Sequence, residues 1–163
     1  MASTPTTTIT ATEHDELIRV QELVYELRVQ EVMTRSPITV TPSTPLTELM
    51  EILRIRRISG APVVEKIPGP PIGIISIQDL INALANQHAD DLVSEHMTPT
   101  VVSARADDRA VKAINLFAQY GNGRLPVVDD AGLLVGIVTA SDITRGLLRT
   151  LNRRFQAEEM RRY

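Results

Sequence analysis

Apolar positions along this chain switch between two periods, and the switching itself repeats. Leu46, Leu49, Met50 and Leu53 stand at i, i+3, i+4 and i+7, the stripe of an amphipathic helix. Thr44 is the predicted N-cap of that helix, with Pro45 at its first helical position. A short extended run, Ile38 to Val40, precedes it. Two strand-like runs follow, Ala61 to Glu65 and Ile72 to Ile77, then a closing helix over Leu80 to Ala85. The series then begins again. Val101-Val102 is extended, Asp107 or Asp108 caps a helix, and Val111, Ile114 and Ala118 form its stripe with Phe117 beside it. Strands at Leu125 to Asp129 and Leu133 to Thr139 and a helix at Ile143 to Leu151 complete the second round. The predicted order is β-α-β-β-α, twice.

Residue identities repeat with the pattern. Met33-Thr34 returns as Met97-Thr98 and Ala61-Pro62-Val63-Val64 as Leu125-Pro126-Val127-Val128, each 64 positions later. Gly73-Ile74-Ile75-Ser76-Ile77-Gln78-Asp79 returns as Gly136-Ile137-Val138-Thr139-Ala140-Ser141-Asp142 after 63. The copies, 32–91 and 92–151, are each about 60 residues, too few to bury a good core alone, so they are expected to pack against each other. They differ most in the strand connection. Asp129-Asp130-Ala131-Gly132 reads as a hairpin loop with a late glycine, whereas Lys66 to Pro71 is longer and stiffened by proline. Asp79 and Asp142 sit where a closing helix starts, a place that favours a carboxylate.

The flanks read differently. Residues 1–12 hold six threonines and predict a disordered tail without the basic and apolar regions of a secretory signal. Thr12 and Asp15 predict the start of a helix over 13–31, with Leu17, Val20, Val24 and Leu27 as its seam. Residues 152–163 are charged and read as a tail or an extension of the last helix.

Composition narrows the function. With no cysteine there can be no disulfide, thiol nucleophile or thiolate metal site, which fits a cytoplasmic protein. A net charge of −3 and 3% aromatic residues argue against nucleic-acid binding by bulk charge or base stacking. Fifteen of the 17 basic residues are arginine, which we read as base composition before phosphate recognition. The helix Ile143 to Arg154 carries Arg145, Arg149, Arg153 and Arg154 but has no helix-turn-helix partner. No run approaches the length that spans a bilayer. Ser76 lies in no nucleophile elbow, and there is no phosphate-binding glycine loop ending in Lys-Ser or Lys-Thr. His88, Asp90, Asp91, Glu95 and His96 gather metal-type residues between the copies, but their spacing matches no defined ligand set. Catalysis and a metal centre are not expected.

The combination of Met-Thr, x-Pro-Val-Val and Gly-x-x-[Ser/Thr]-x-x-Asp, twice in one order, resembles a pair of CBS domains, the module named for cystathionine β-synthase. The resemblance covers Val32 to Leu151. It implies an α+β fold in which two β-α-β-β-α units pack sheet to sheet about a pseudo-twofold axis. It also implies a non-catalytic sensor that holds an adenine nucleotide or adenosine derivative in clefts between the copies. By that resemblance one cleft takes Ser76 and Asp79 with Thr98, Thr100, Val101, Gly123 and Arg124. The other takes Thr139 and Asp142 with Thr34, Ile38, Ser59 and Gly60. A carboxylate fixed at a strand-to-helix junction suits ribose hydroxyls, and the hydroxyl three residues earlier suits a sugar or phosphate oxygen beside the helix amides. The Asp142 cleft is expected to be the better nucleoside site. No cofactor is required; AMP, ADP, ATP or S-adenosylmethionine is the expected regulatory ligand. With no partner domain in cis, the expected mode of action is a homodimer signalling to a separate target, with the helix over 13–31 as transmitter. The rival reading is a ligand-free dimerisation adaptor, in which the two aspartates merely cap helices and Arg124 or Arg57 pairs with them.

Overall fold

The Met-Thr segments cross between the copies, and that crossing organises the fold. The computed structural model describes residues 10–99 and 101–161. Its elements run α1 (Ala11–Glu26), α2 (Val29–Val32), β1 (Thr34–Arg35), α3 (Leu46–Arg56), β2 (Gly60–Val64), β3 (Pro71–Ser76) and α4 (Ile77–Ala85). The series continues with α5 (Val93–His96), β4 (Ala104–Arg105), α6 (Ala110–Tyr120), β5 (Arg124–Val128), β6 (Leu134–Thr139) and α7 (Ala140–Met160). The α+β order β-α-β-β-α is present twice.

Thr34 of β1 lies antiparallel to Ile137 of β6, and Thr98 bridges antiparallel to Ile74 of β3. Each copy thus lends its Met-Thr to the last strand of the other. Val40 bridges parallel to Val63, and Ala104 to Val127 in the same sense; the two arrangements are related by the repeat offset. One sheet has the strand order β1-β6-β5-β4 and the other pairs β2 with β3. The extended runs expected at Ile38 to Val40 and Val101-Val102 shrink to the single bridge at Val40 and to β4 further on, because the pairing partners sit at Thr34 and Ala104 instead.

The crossing explains two of the repeated glycines. A side chain on Gly73 would come 2.6 Å from Met97 Sδ, and one on Gly136 would come 2.5 Å from Met33 Sδ. Each methionine occupies the space that a Cβ on the opposite copy would need.

Two apolar clusters form, and neither belongs to one copy. Leu46, Leu49, Leu53, Val63, Ile75 and Leu80 of the first copy are completed by Val93 of α5. Ala110, Ala113, Leu125, Val127, Val138 and Ile143 of the second are completed by Leu27, Val29, Val32 and Met33. Backbone pairing holds these donated segments in place: Val29 N–H donates to Asp108 O (2.9 Å), and Val93 N–H donates to Thr44 O (2.9 Å).

Several local expectations are corrected by this arrangement. The helix expected over 13–31 starts at Ala11 and stops at Glu26, because Leu27 O accepts from Ala110 N–H (2.7 Å) and Arg28 bridges to Arg109. Leu23 is buried on it and Leu27 just past its end, while Leu17 is 51% exposed. The expected tail over 1–12 is shortened accordingly, and residues 1–9 lie outside the described residues. Pro45, not Thr44, is the N-cap of α3; Thr44 Oγ1 accepts from Thr41 N–H (3.1 Å) in the preceding turn. Asp108 does the same for Arg105 N–H (2.9 Å), leaving Arg109 as the N-cap of α6. Met50 and Ile114 are exposed, and the buried stripe of α6 is Ala110 and Ala113, with Leu116 and Phe117 packed partly beneath it.

Candidate functional site

Ser76 is at once the last residue of β3 and the N-cap of α4, with no loop between them. Its N–H and Oγ–H both donate to Asp79 Oδ2, each at 2.7 Å, and Asp79 N–H lies 3.4 Å from Ser76 Oγ. The pair is a reciprocal capping box with aspartate in the third helical position. Thr139 and Asp142 rebuild it at the start of α7: Thr139 N–H and Oγ1–H donate to Asp142 Oδ2 at 2.9 and 2.8 Å. Both carboxylates therefore use one oxygen to fix themselves. The Oδ1 of Asp142 accepts from Arg145, whereas that of Asp79 accepts nothing from the described residues.

Each junction faces a cavity whose walls come from both copies. The first, about 340 Å³, is lined by Ser76, Asp79, Thr98, Gly123 and Arg124 among the expected residues, joined by Ser59, Ile74, Ile77, Gln78, Gly121 and Asn122. Val101 is not on its wall, and Thr100 lies outside the described residues. The second, about 540 Å³, is lined by all six expected residues: Thr34, Ile38, Ser59, Gly60, Thr139 and Asp142. It also has Ser36, Pro37, Arg57, Ile58, Arg124, Ile137 and Arg145 on its walls.

Arg124 stands between the two cavities and lines both. A side chain on Gly60 would fall on its guanidinium, so the glycine makes room for the arginine to cross. Arg124 Nη2 donates to Ser59 Oγ at 2.7 Å. Partial burial pulls its pKa below the usual arginine value, and the charge of Asp79 works against that fall. The pairing expected between Arg124 or Arg57 and the aspartates is not found among the described residues; Arg145, one turn along α7, holds Asp142 instead. Sequence reasoning missed Arg145 as a wall residue because helical i,i+3 proximity to Asp142 was the only sign of it.

The cavities differ in charge as well as in size. The second faces Asp142 with Arg57, Arg124 and Arg145, while the first faces Asp79 with Arg124 alone. Arg57 reaches its wall because it ends α3 in the left-handed conformation, φ 53°. No helix among the described residues is long and apolar enough to cross a membrane.

Comparison with known proteins agrees with this architecture. The CBS-domain family model matches residues 29–86 and 93–149. Protein MJ1232 of Methanocaldococcus jannaschii is 31% identical over 119 residues, which are 73% of this chain but only 39% of that protein. The CBS-domain pair of protein MJ0100, in complex with 5′-methylthioadenosine and S-adenosyl-L-methionine, superposes with a TM-score of 0.67 at 31% identity, covering 72% of this chain and 93% of that one. CBSX2 in complex with AMP superposes with a TM-score of 0.67 at 28% identity, covering 76% and 98%. With its duplicated junctions, its exchanged Met-Thr strands and a family match over both copies, the chain belongs to the CBS-domain family and forms a CBS-domain pair.

Proposed function

We propose that this pair is a non-catalytic regulatory module that binds an adenine nucleotide or adenosine derivative, foremost in the Asp142 cavity, and passes its occupancy to a partner. One observation carries the reading: a self-fixed carboxylate at each strand-to-helix junction faces a cavity walled by both copies. A ligand seated there touches both copies at once, so its affinity depends on how they sit against each other. Relatives of the same architecture hold AMP, or 5′-methylthioadenosine and S-adenosyl-L-methionine.

In the Asp142 cavity the ribose hydroxyls donate to Asp142 Oδ1, displacing Arg145. Ile38, Pro37 and Ile137 give the base an apolar wall, and Arg57, Arg124 and the released Arg145 surround a phosphate. The cavity on the Asp79 side takes a smaller or less charged adenosine derivative, using Ser76, Asp79, Thr98, Gly123 and Arg124. Transmission is supported by α7, which carries Asp142 near its start and pairs Arg154 with Glu26 of α1 near its other end (3.0 Å). A homodimer is supported by Ile77, Ile81 and Leu84, an apolar row on α4 exposed at 45%, 51% and 42%.

The test is a thermal-shift panel of AMP, ADP, ATP, S-adenosylmethionine and NAD on the full chain. A ligand at about 100 times its Kd stabilises by about 2.7 kcal/mol, and Asp142→Ala shrinks the shift. A flat response to every compound favours the ligand-free adaptor, and an undiminished shift in both Asp142→Ala and Asp79→Ala removes the site assignment. Light scattering of Ile81→Glu against the native chain tests the dimer.

A further inference from the structure

The link between the copies gathers side chains that the nucleotide cavities do not use. Gln87 adopts φ 64° just after α4 and turns the chain back, so that His88 N–H donates to Ala83 O (2.9 Å). Asp91 follows, with its carbonyl accepting from Leu46 N–H (3.0 Å) at the start of α3. His96 ends α5. Three residues dispersed over the link are thereby held by backbone bonds to separate helices. His88 Nδ1 lies 3.0 Å and His96 Nε2 lies 2.8 Å from the same oxygen, Asp91 Oδ2. The two imidazoles are 5.7 Å apart between ring centres. Glu95 takes no part; its carboxylate accepts from Leu92 N–H (2.8 Å).

We propose that His88, Asp91 and His96 form a binding site for a divalent transition-metal ion of the zinc, cobalt or nickel class. All three donor atoms lie within 4.8 Å of one another. Ligands around a shared tetrahedral ion, with bonds near 2.1 Å, stand roughly 3.4 Å apart, so small side-chain rotations close the site without moving the backbone. Two imidazole nitrogens and one carboxylate oxygen suit these ions and not magnesium or calcium, which take oxygen donors. Three protein ligands leave at least one position to water. When the ion binds, Nδ1 of His88 and Nε2 of His96 change from donors toward Asp91 to ligands, and any proton on them leaves to solvent. The ion then ties the end of α4 to α5, fixing the segment that joins the copies.

The spacing His88-x-x-Asp91-x-x-x-x-His96 belongs to no defined ligand pattern; the left-handed turn at Gln87 and the one-turn helix α5 bring the three together.

The experiment is titration of the chelator-treated full chain with Zn²⁺ alone by calorimetry, and with Co²⁺ by visible absorption. One ion per chain is expected, with a rise in Tm that EDTA reverses. His88→Ala and His96→Ala should each lower affinity by more than the roughly 10–100-fold that loss of an outer-shell partner costs. His14→Ala, which removes the third histidine of the chain, should leave binding unchanged. His88 is 53% exposed, so its alanine variant keeps the fold and the test decisive. Absence of binding at millimolar metal, or undiminished binding in the His88→Ala/His96→Ala double variant, overturns the proposal.

Discussion

At the scale of single residues, Asp142 and Arg145 decide how the larger cavity works. The ion pair occupies the carboxylate oxygen proposed to take the ribose, and the Arg145 side chain is 64% exposed. Asp142 itself is buried, but its partner is a solvent-exposed arginine one helical turn along, and an i,i+3 pair held that way is worth about 0.2–1 kcal/mol, so a ligand can displace it at small cost. Arg145→Ala should therefore tighten binding of a phosphate-free nucleoside by up to about fivefold, the factor that 1 kcal/mol provides. It should weaken binding of a phosphorylated one, since a guanidinium is lost from the wall. Calorimetry with adenosine and AMP reads both, and equal changes for the two ligands would show that Arg145 does not exchange partners. The glycines make a second test at this scale. Gly136→Ala sets a Cβ against Met33 Sδ and 3.0 Å from Thr34 O, and overpacking of this kind costs about 1–3 kcal/mol. Replacing Met33 by alanine relieves only the first contact, so Gly136→Ala/Met33→Ala should recover part of the additional loss in a denaturation cycle.

At the scale of elements, burial separates residues that a hydropathy pattern treats alike. Leu49 is fully buried while Ile114 is 40% exposed. Leu49→Ala should cost about 2–5 kcal/mol, whereas Ile114→Ser should stay within about 0.5 kcal/mol, both measured by urea unfolding. The contrast also explains what could be read from the chain. The hairpin strands and the starts of the closing helices were legible within a few residues, because Pro-Val-Val and Gly-x-x-[Ser/Thr] recur with their turns and caps, whereas the last helix runs on from the expected Leu151 to Met160. The stripe of α6 was not, since alanines at 110 and 113 carry a weak apolar signal beside Ile114 and Val111. The repeat contained the answer: shifting Leu46, Leu49 and Leu53 by 64 positions lands on Ala110, Ala113 and Phe117. Cap residues misled for a different reason. Thr44 and Asp108 spend their side chains on the backbone of Thr41 and Arg105, a competing local bond that residue type alone cannot distinguish from a helix cap. In the cavities, the described residues read from the motif line the walls with the exception of Val101, while Arg57 and Arg145 arrive through backbone geometry and helical neighbourhood.

At the scale of the whole molecule, each apolar cluster depends on the segment at the head of the other copy. Val29 is fully buried against the second copy and Val93 is fully buried against the first. Removing two carbons from either should cost about 2 kcal/mol once the cavity is included. If the halves fold as one unit, that cost appears everywhere; if they open separately, it appears only where the segment packs. The exchanged strands favour coupling, because opening the second half strips Thr34 from Ile137 and with it the Met33 that covers Gly136. They leave β2 and β3 of the first half paired, however, so the second half can open while the first stays folded. Native-state hydrogen exchange distinguishes the outcomes. Val29→Ala should speed exchange of the Leu125, Val127 and Val138 amides by about 30-fold, the factor equivalent to 2 kcal/mol, and that of Ala61, Val63 and Ile75 by less. Val93→Ala should reverse the preference. A uniform change across both groups in both variants would mean that the copies open only together, and a ligand bridging them could not act by changing their mutual stability. The reciprocal pattern gives each cavity a separate lever on the fold, because each takes its carboxylate junction from one half and a borrowed strand from the other.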